Sequence, residues 1–147
     1  MTMQFVAAVR NARLDVIRDA LDVGAGAGIL AIYSGTKPTT PATALSGNTL
    51  LAKIALADPS APNASGGVLT FDFSPAVEDL SADATGTATW FRLYSSADGA
   101  TISEANAVGQ GTVSASGAGG DLELVSTSLT ATQPVQITSG TITEGGA

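Results

Sequence analysis

Residues 87–95 read Thr-Ala-Thr-Trp-Phe-Arg-Leu-Tyr-Ser, and the fold class turns on them. β-Branched and aromatic residues dominate the stretch, as they do in strands. In an extended chain successive side chains point to opposite faces, so Trp90, Arg92 and Tyr94 share one face and Phe91 and Leu93 the other. One face is predicted to pack in the core. The Trp90–Arg92–Tyr94 face is predicted to be a contact stripe, because Trp, Tyr and Arg are the types enriched where proteins bind.

Similar short apolar runs lie on either side, each cut by turn residues. Upstream, Ile29 to Ser34 is closed by Gly35 and Pro38, and Leu50 to Ala57 is stopped by Asp58-Pro59. From Val68 to Phe73 the alternation is clean, with Leu69, Phe71 and Phe73 opposed to Thr70 and Asp72. Downstream, Asp98-Gly99 predicts a hairpin turn towards Thr101 and Ile102. Further strands are predicted at Gly111 to Ser116, Asp121 to Val125 and Val135 to Thr143. Roughly seven or eight short strands at this spacing, with no second helix to cross between parallel strands, predict a mainly β chain: an antiparallel β-sandwich or jelly roll.

One helix precedes them. Gln4 to Val23 contains no Gly or Pro, and Leu14, Ile17 and Leu21 fall at helical spacing. Gly24 follows as a left-handed cap. The apolar stripe is narrow, so the helix has to dock on something else. The expected organisation is an N-terminal helix and glycine hinge at 1–28 and a β domain at 29–147. A Thr/Pro-rich arm at 36–48 extends from that domain. Helix, hinge and arm are the parts a lone domain needs least, and are expected to reach neighbouring subunits.

With 147 residues the chain makes one domain. It holds no His and no Cys, which excludes a Ser-His-Asp or Cys-His site, zinc fingers, haem or iron–sulfur ligation and disulfides. Any catalysis would rest on carboxylates, Lys, Tyr or hydroxyls. The net charge of -7 is unevenly placed. Within residues 1–22, Arg10, Arg13 and Arg18 balance Asp15, Asp19 and Asp22, so the whole excess lies in the remainder. A body this acidic repels a phosphate backbone, and no nucleic-acid partner is expected. No apolar run approaches a membrane span, and Phe5 to Val9 is too short for a secretory core, so folding in a cytoplasm is expected.

The remaining candidates for chemistry read as structural. Gly24, Gly26 and Gly28 follow a helix and precede a strand, the reverse of the order in a phosphate-binding loop. Glu78, Asp79 and Asp83 cluster, yet lack the glycine and distal Glu of a calcium loop. Asp121 and Glu123 lie on one strand face, where two carboxylates more often discourage edge pairing than act as acid and base. Asn63-Ala-Ser65 is a glycosylation sequon without a secretion signal. No catalytic, cofactor-binding or metal-ligating residue, and no small-molecule substrate or membrane, is expected.

The chain resembles a family of small virion structural proteins encoded among the head and tail genes of tailed bacteriophages and prophages. The resemblance lies in Arg13-Leu-Asp15, in Asp22-Val-Gly-Ala-Gly-Ala-Gly28 and in Leu30-Ala-Ile-Tyr-Ser-Gly-Thr-Lys-Pro38. It continues in Leu50-Leu51 with Asp58-Pro59, and in Ser81-Ala-Asp-Ala-Thr-Gly-Thr-Ala-Thr-Trp-Phe-Arg92, so that most of residues 10–143 is spanned. These are features of a fold and carry over no site residue. The resemblance implies a non-enzymatic virion protein. The leading expectation is a capsid decoration (cement) protein on the outer capsid surface, assembled in the host cytoplasm. It would contact the major capsid protein and copies of itself as a dimer or trimer. The alternatives are a tail, neck or baseplate component, and a carbohydrate-binding module that uses Trp90 and Tyr94. Interface candidates are Arg13, Leu14, Ile17, Leu21, Lys37, Pro38, Trp90, Arg92 and Tyr94.

Overall fold

Alternating apolar runs become strands when a sheet can cover their faces. A computed structural model describes residues 4–24, 26–72, 78–97 and 102–144. It opens with helix α1 (Ala7–Leu21), followed by β1 (Ile29–Tyr33), β2 (Leu50–Ala55), β3 (Val68–Thr70), β4 (Glu78–Asp79) and β5 (Gly86–Thr87). Then come β6 (Trp90–Tyr94), a 3-10 turn (Glu104–Asn106), β7 (Ala107–Ala115), β8 (Leu122–Leu124), β9 (Ser128–Leu129) and β10 (Val135–Thr143). The chain is mainly β with one N-terminal helix, as the sequence predicts. The expected hairpin at Asp98-Gly99, with Thr101, and the end of the third run at Phe73 lie outside the described residues.

The principal sheet runs β2-β1-β6-β7-β8-β10-β3, with β4 also paired to β10, while β5 and β9 form a separate ladder. At its centre β1 sets Tyr33 opposite Trp90 and Ile29 opposite Tyr94. Beyond β2, the Lys53 N–H donates to the Asp79 carboxylate at 3.1 Å, and the Asp83 N–H donates to the Leu51 carbonyl at 2.7 Å. The 79–83 segment, tied to β10 through β4, thus covers the edge of β2, and the sheet curls back towards its own beginning. A side-chain carboxylate here takes the place of a ladder bond and blocks an open edge.

One ladder departs from the antiparallel plan: β7 and β8 are parallel, with Val113 opposite Leu122 and Ala115 opposite Leu124. Parallel neighbours ordinarily need a crossover of about a dozen residues or more. Here residues 116–121 make the return. Gly117 and Gly119 take positive φ (81° and 80°), a region that favours glycine. The Glu123 carboxylate accepts both of their N–H groups, at 3.1 and 3.0 Å. Asp121 accepts the Thr112 N–H and hydroxyl, each at 2.8 Å, so both carboxylates close the return.

Two apolar clusters lie on opposite faces of the central strands. The larger holds Leu30, Ile32, Leu51, Phe91, Leu93 and Leu122 together with Leu14 and Leu21 of α1, both of which have no exposed surface. Leu14 and Leu21 are therefore core residues rather than interface residues, and half-buried Ile17 packs beside them. Each such leucine contributes roughly 2 kcal/mol of burial. The connection after α1 is packed as well. Gly24 has φ +116° and lies so close to the Ser96 carbonyl that a Cβ would sit 2.6 Å from its oxygen. The Ser96 hydroxyl donates to the carbonyls of Val23 and Gly26. The expected hinge is thus a seam, held because α1 supplies part of the core. Among the described residues no helix is long and apolar enough to cross a membrane.

Candidate functional site

The second cluster gathers the predicted contact stripe. Tyr33 stacks on Trp90 with ring centroids 4.5 Å apart and planes 15° from parallel. The Tyr33 and Tyr94 hydroxyls lie 2.9 Å apart, and the Arg92 guanidinium stands 5.3 Å from the Trp90 ring centre. Alternation along β6 is as predicted, with Phe91 and Leu93 on the other side. Trp90, Arg92 and Tyr94 are nevertheless buried, at 1%, 0% and 2% exposure.

What buries them is the Thr/Pro arm, which lies across its own sheet instead of extending to a neighbour. Arg92 donates from Nη1 to the Thr43 carbonyl at 3.2 Å and from Nη2 to the Thr40 carbonyl at 3.5 Å. Its Nε and Nη2 both donate to the Gln110 side-chain oxygen, at 3.2 and 3.0 Å. Gln110 in turn donates its amide to the Pro38 carbonyl at 2.6 Å. Asn48 fastens the other end by donating to the carbonyls of Ser34 and Thr36. Leu45, Leu50, Ile102 and Ala107 complete the cover. Arg92 forms no salt bridge among the described residues; its charge is met by carbonyl dipoles and an aromatic face.

The strap therefore corrects the predicted stripe. Arg92 holds the strap down, Trp90 and Tyr94 lie buried in the cluster beneath it, and the three offer no stacking platform to a sugar. Pro38 is half-buried as an anchor, and Lys37 stays exposed on the outer side. Arg13 keeps a side chain 53% exposed, ion-paired with Glu144 at 3.0 Å and 5.3 Å from the Phe5 ring centre. Of the nine candidates, Arg13 and Lys37 are exposed.

Carboxylates elsewhere are likewise engaged by main chain. Asp15 accepts the Ala64 N–H at 2.8 Å, Asp22 that of Ser60 at 3.0 Å, and Asp79 that of Ser81 at 2.9 Å. Among the described residues no group of three or more acidic side chains converges as a metal site would require. Burial, reinforced by the Tyr94 hydroxyl, pushes the Tyr33 phenol well above the usual tyrosine range. The hydrogen bond that Arg18 donates to the Asp19 carboxylate raises Arg18 above its ordinary value. A cleft of about 260 Å³ between Ile17, β7 and β10 is floored by Phe91, Leu93 and Ile142.

Sequence reasoning missed the valines on the outer side of α1. Val6, Val9, Val16 and Val23 are all exposed, the first at 69% and the third at 65%. Their three- and seven-residue spacing was the available signal. Gln110 had none, because a glutamine in a strand has no preferred partner until the arm is placed. Comparison of the chain with family models, curated proteins and solved structures finds no match.

Proposed function

We propose that the chain is a structural protein of a tailed-bacteriophage virion: a capsid decoration protein that bridges major capsid subunits on the outer surface of the shell. The observation that carries this reading is where the polar chemistry goes. Arg92, Asp15, Asp22, Asp79, Asp121 and Glu123 all hold main-chain groups of the chain itself. What the body turns outward is shape, an acidic field and branched apolar side chains. Such a surface acts by being buried against neighbours, and weak contacts repeated over a closed lattice add up to strong attachment. The acidic body disfavours packaged DNA as a partner. The sequence resemblance supports the same assignment, and so does the absence of His and Cys from the chain.

Shells assembled without the protein and then incubated with it provide the test. The expected result is loading at hundreds of copies per particle, with increased resistance to heat and osmotic shock. Loading of tens of copies or fewer would move the assignment to tail, neck or baseplate. Unchanged resistance after full loading would overturn the clamping role.

A further inference from the structure

Helix α1 shows two sides at odds with its exposure. Its polar side chains are spent on the loop that runs beside it: Asn11 accepts the Gly67 N–H, Asp15 that of Ala64 and Asp22 that of Ser60, while Arg18 donates to Asn63. The open side carries a row of Val9, Arg13, Val16 and half-buried Ala20, at steps of four, three and four residues, flanked by exposed Ala8, Ala12 and Asp19. Val6 and Val23 continue the row by three-residue steps just beyond the helix ends, and the four valines are 42–69% exposed. A solvent-facing helix side normally carries charge. Alternating steps of three and four keep a row on one side over its whole length, the spacing by which two helices mesh.

We infer that this row is a seam between two copies of the chain, their α1 helices antiparallel about a twofold axis passing between Leu14 and Asp15. That axis places Val9 opposite Ala20 of the partner subunit, Val6 opposite Val23 of the partner subunit and Arg13 opposite Val16 of the partner subunit. Charge selects the occupant. Arg10, Arg13 and Arg18 balance Asp15, Asp19 and Asp22 within residues 1–22, while the ten acidic residues of the -7 body all lie from Asp58 onward, so two copies meet along this helix with no net like-charge penalty. Arg13 also comes within a turn of Asp19 of the partner subunit, a carboxylate 67% exposed in the single chain. The row is about 26 Å long. One helix side of that length buries roughly half the ~800 Å² per partner of a standard interface, so the dimer is weak and reversible. This inference needs only a second copy and stands apart from the virion assignment.

Sedimentation equilibrium of the full chain is expected to show a concentration-dependent monomer–dimer equilibrium. Val9→Glu with Val16→Glu is expected to raise the dissociation constant by about a hundredfold or more, since each substitution occurs twice across the twofold. Both residues are exposed, so circular dichroism and tryptophan fluorescence should stay unchanged. The chain lacks Cys, so Val9→Cys and Ala20→Cys proteins report contact cleanly. Mixed and mildly oxidised, they are expected to cross-link to each other and not to themselves. A wild-type chain that stays monomeric at every attainable concentration would overturn the seam, as would a dimer indifferent to the two glutamates or a Val9→Cys protein that cross-links to itself. A monomer that still loads onto shells sinks the seam alone; a dimer that loads onto none sinks the virion assignment alone.

Discussion

Arg92 is a charge the fold has taken out of water with no carboxylate paired to it among the described residues. Four hydrogen bonds and the Trp90 face compensate its desolvation, and two of those bonds hold the strap. Arg92→Ala is expected to cost about 3 kcal/mol in urea unfolding and to open residues 36–48 to limited proteolysis. Arg92→Lys should recover less than half of that, because an ammonium cannot reproduce the planar fork. Tyr33, on the same face, makes stability depend on pH. The fold raises its phenol above the unfolded value, so the neutral form is the favoured one. Its contribution is complete below the tyrosine value of the unfolded chain, about 10, and is lost as pH rises beyond it. Stability is expected to fall by about 1.4 kcal/mol per pH unit above that point in denaturant titrations, and Tyr33→Phe should flatten the slope.

The elements were legible to the extent that local pattern fixes them. The helix and six of the seven longer strands fall where spacing placed them, because apolar alternation and Gly/Pro punctuation are properties of short stretches, while β7 starts at Ala107, four residues before the expected Gly111. The parallel β7–β8 pair was not legible. Ser116 to Asp121 reads as an ordinary turn, and its direction depends on Glu123 reaching back to Gly117 and Gly119. Glu123→Ala is expected to destabilise the chain by about 1–2 kcal/mol and to speed hydrogen exchange at the Gly117 and Gly119 amides well beyond that at Leu30. Nor was the arm's path legible. A Thr/Pro segment has no apolar period, and what Arg92 and Gln110 grip is main chain. The stripe at Trp90, Arg92 and Tyr94 was correctly placed on one face, and its partner was mistaken for a neighbour when it is the chain's own strap. On α1, Leu14 and Leu21 were read as a docking stripe and do dock, on the chain's own sheet.

For the whole molecule, these features add up to a sheet covered on both faces from within one chain. Helix α1 closes one side and the strap the other, while the 79–83 segment guards the β2 edge. Among the described residues six large apolar side chains stay exposed, and four of them are the valines of the row along α1, in a segment whose charges balance. The strap has a consequence for how such a protein tolerates change. It is gripped by the carbonyls of Pro38, Thr40 and Thr43, groups every amino acid supplies, and several of its side chains point to solvent. Drift in its sequence therefore goes largely unpunished so long as Arg92 and Gln110 persist, which makes residues 39–42 a natural place for divergence or for displaying a foreign peptide.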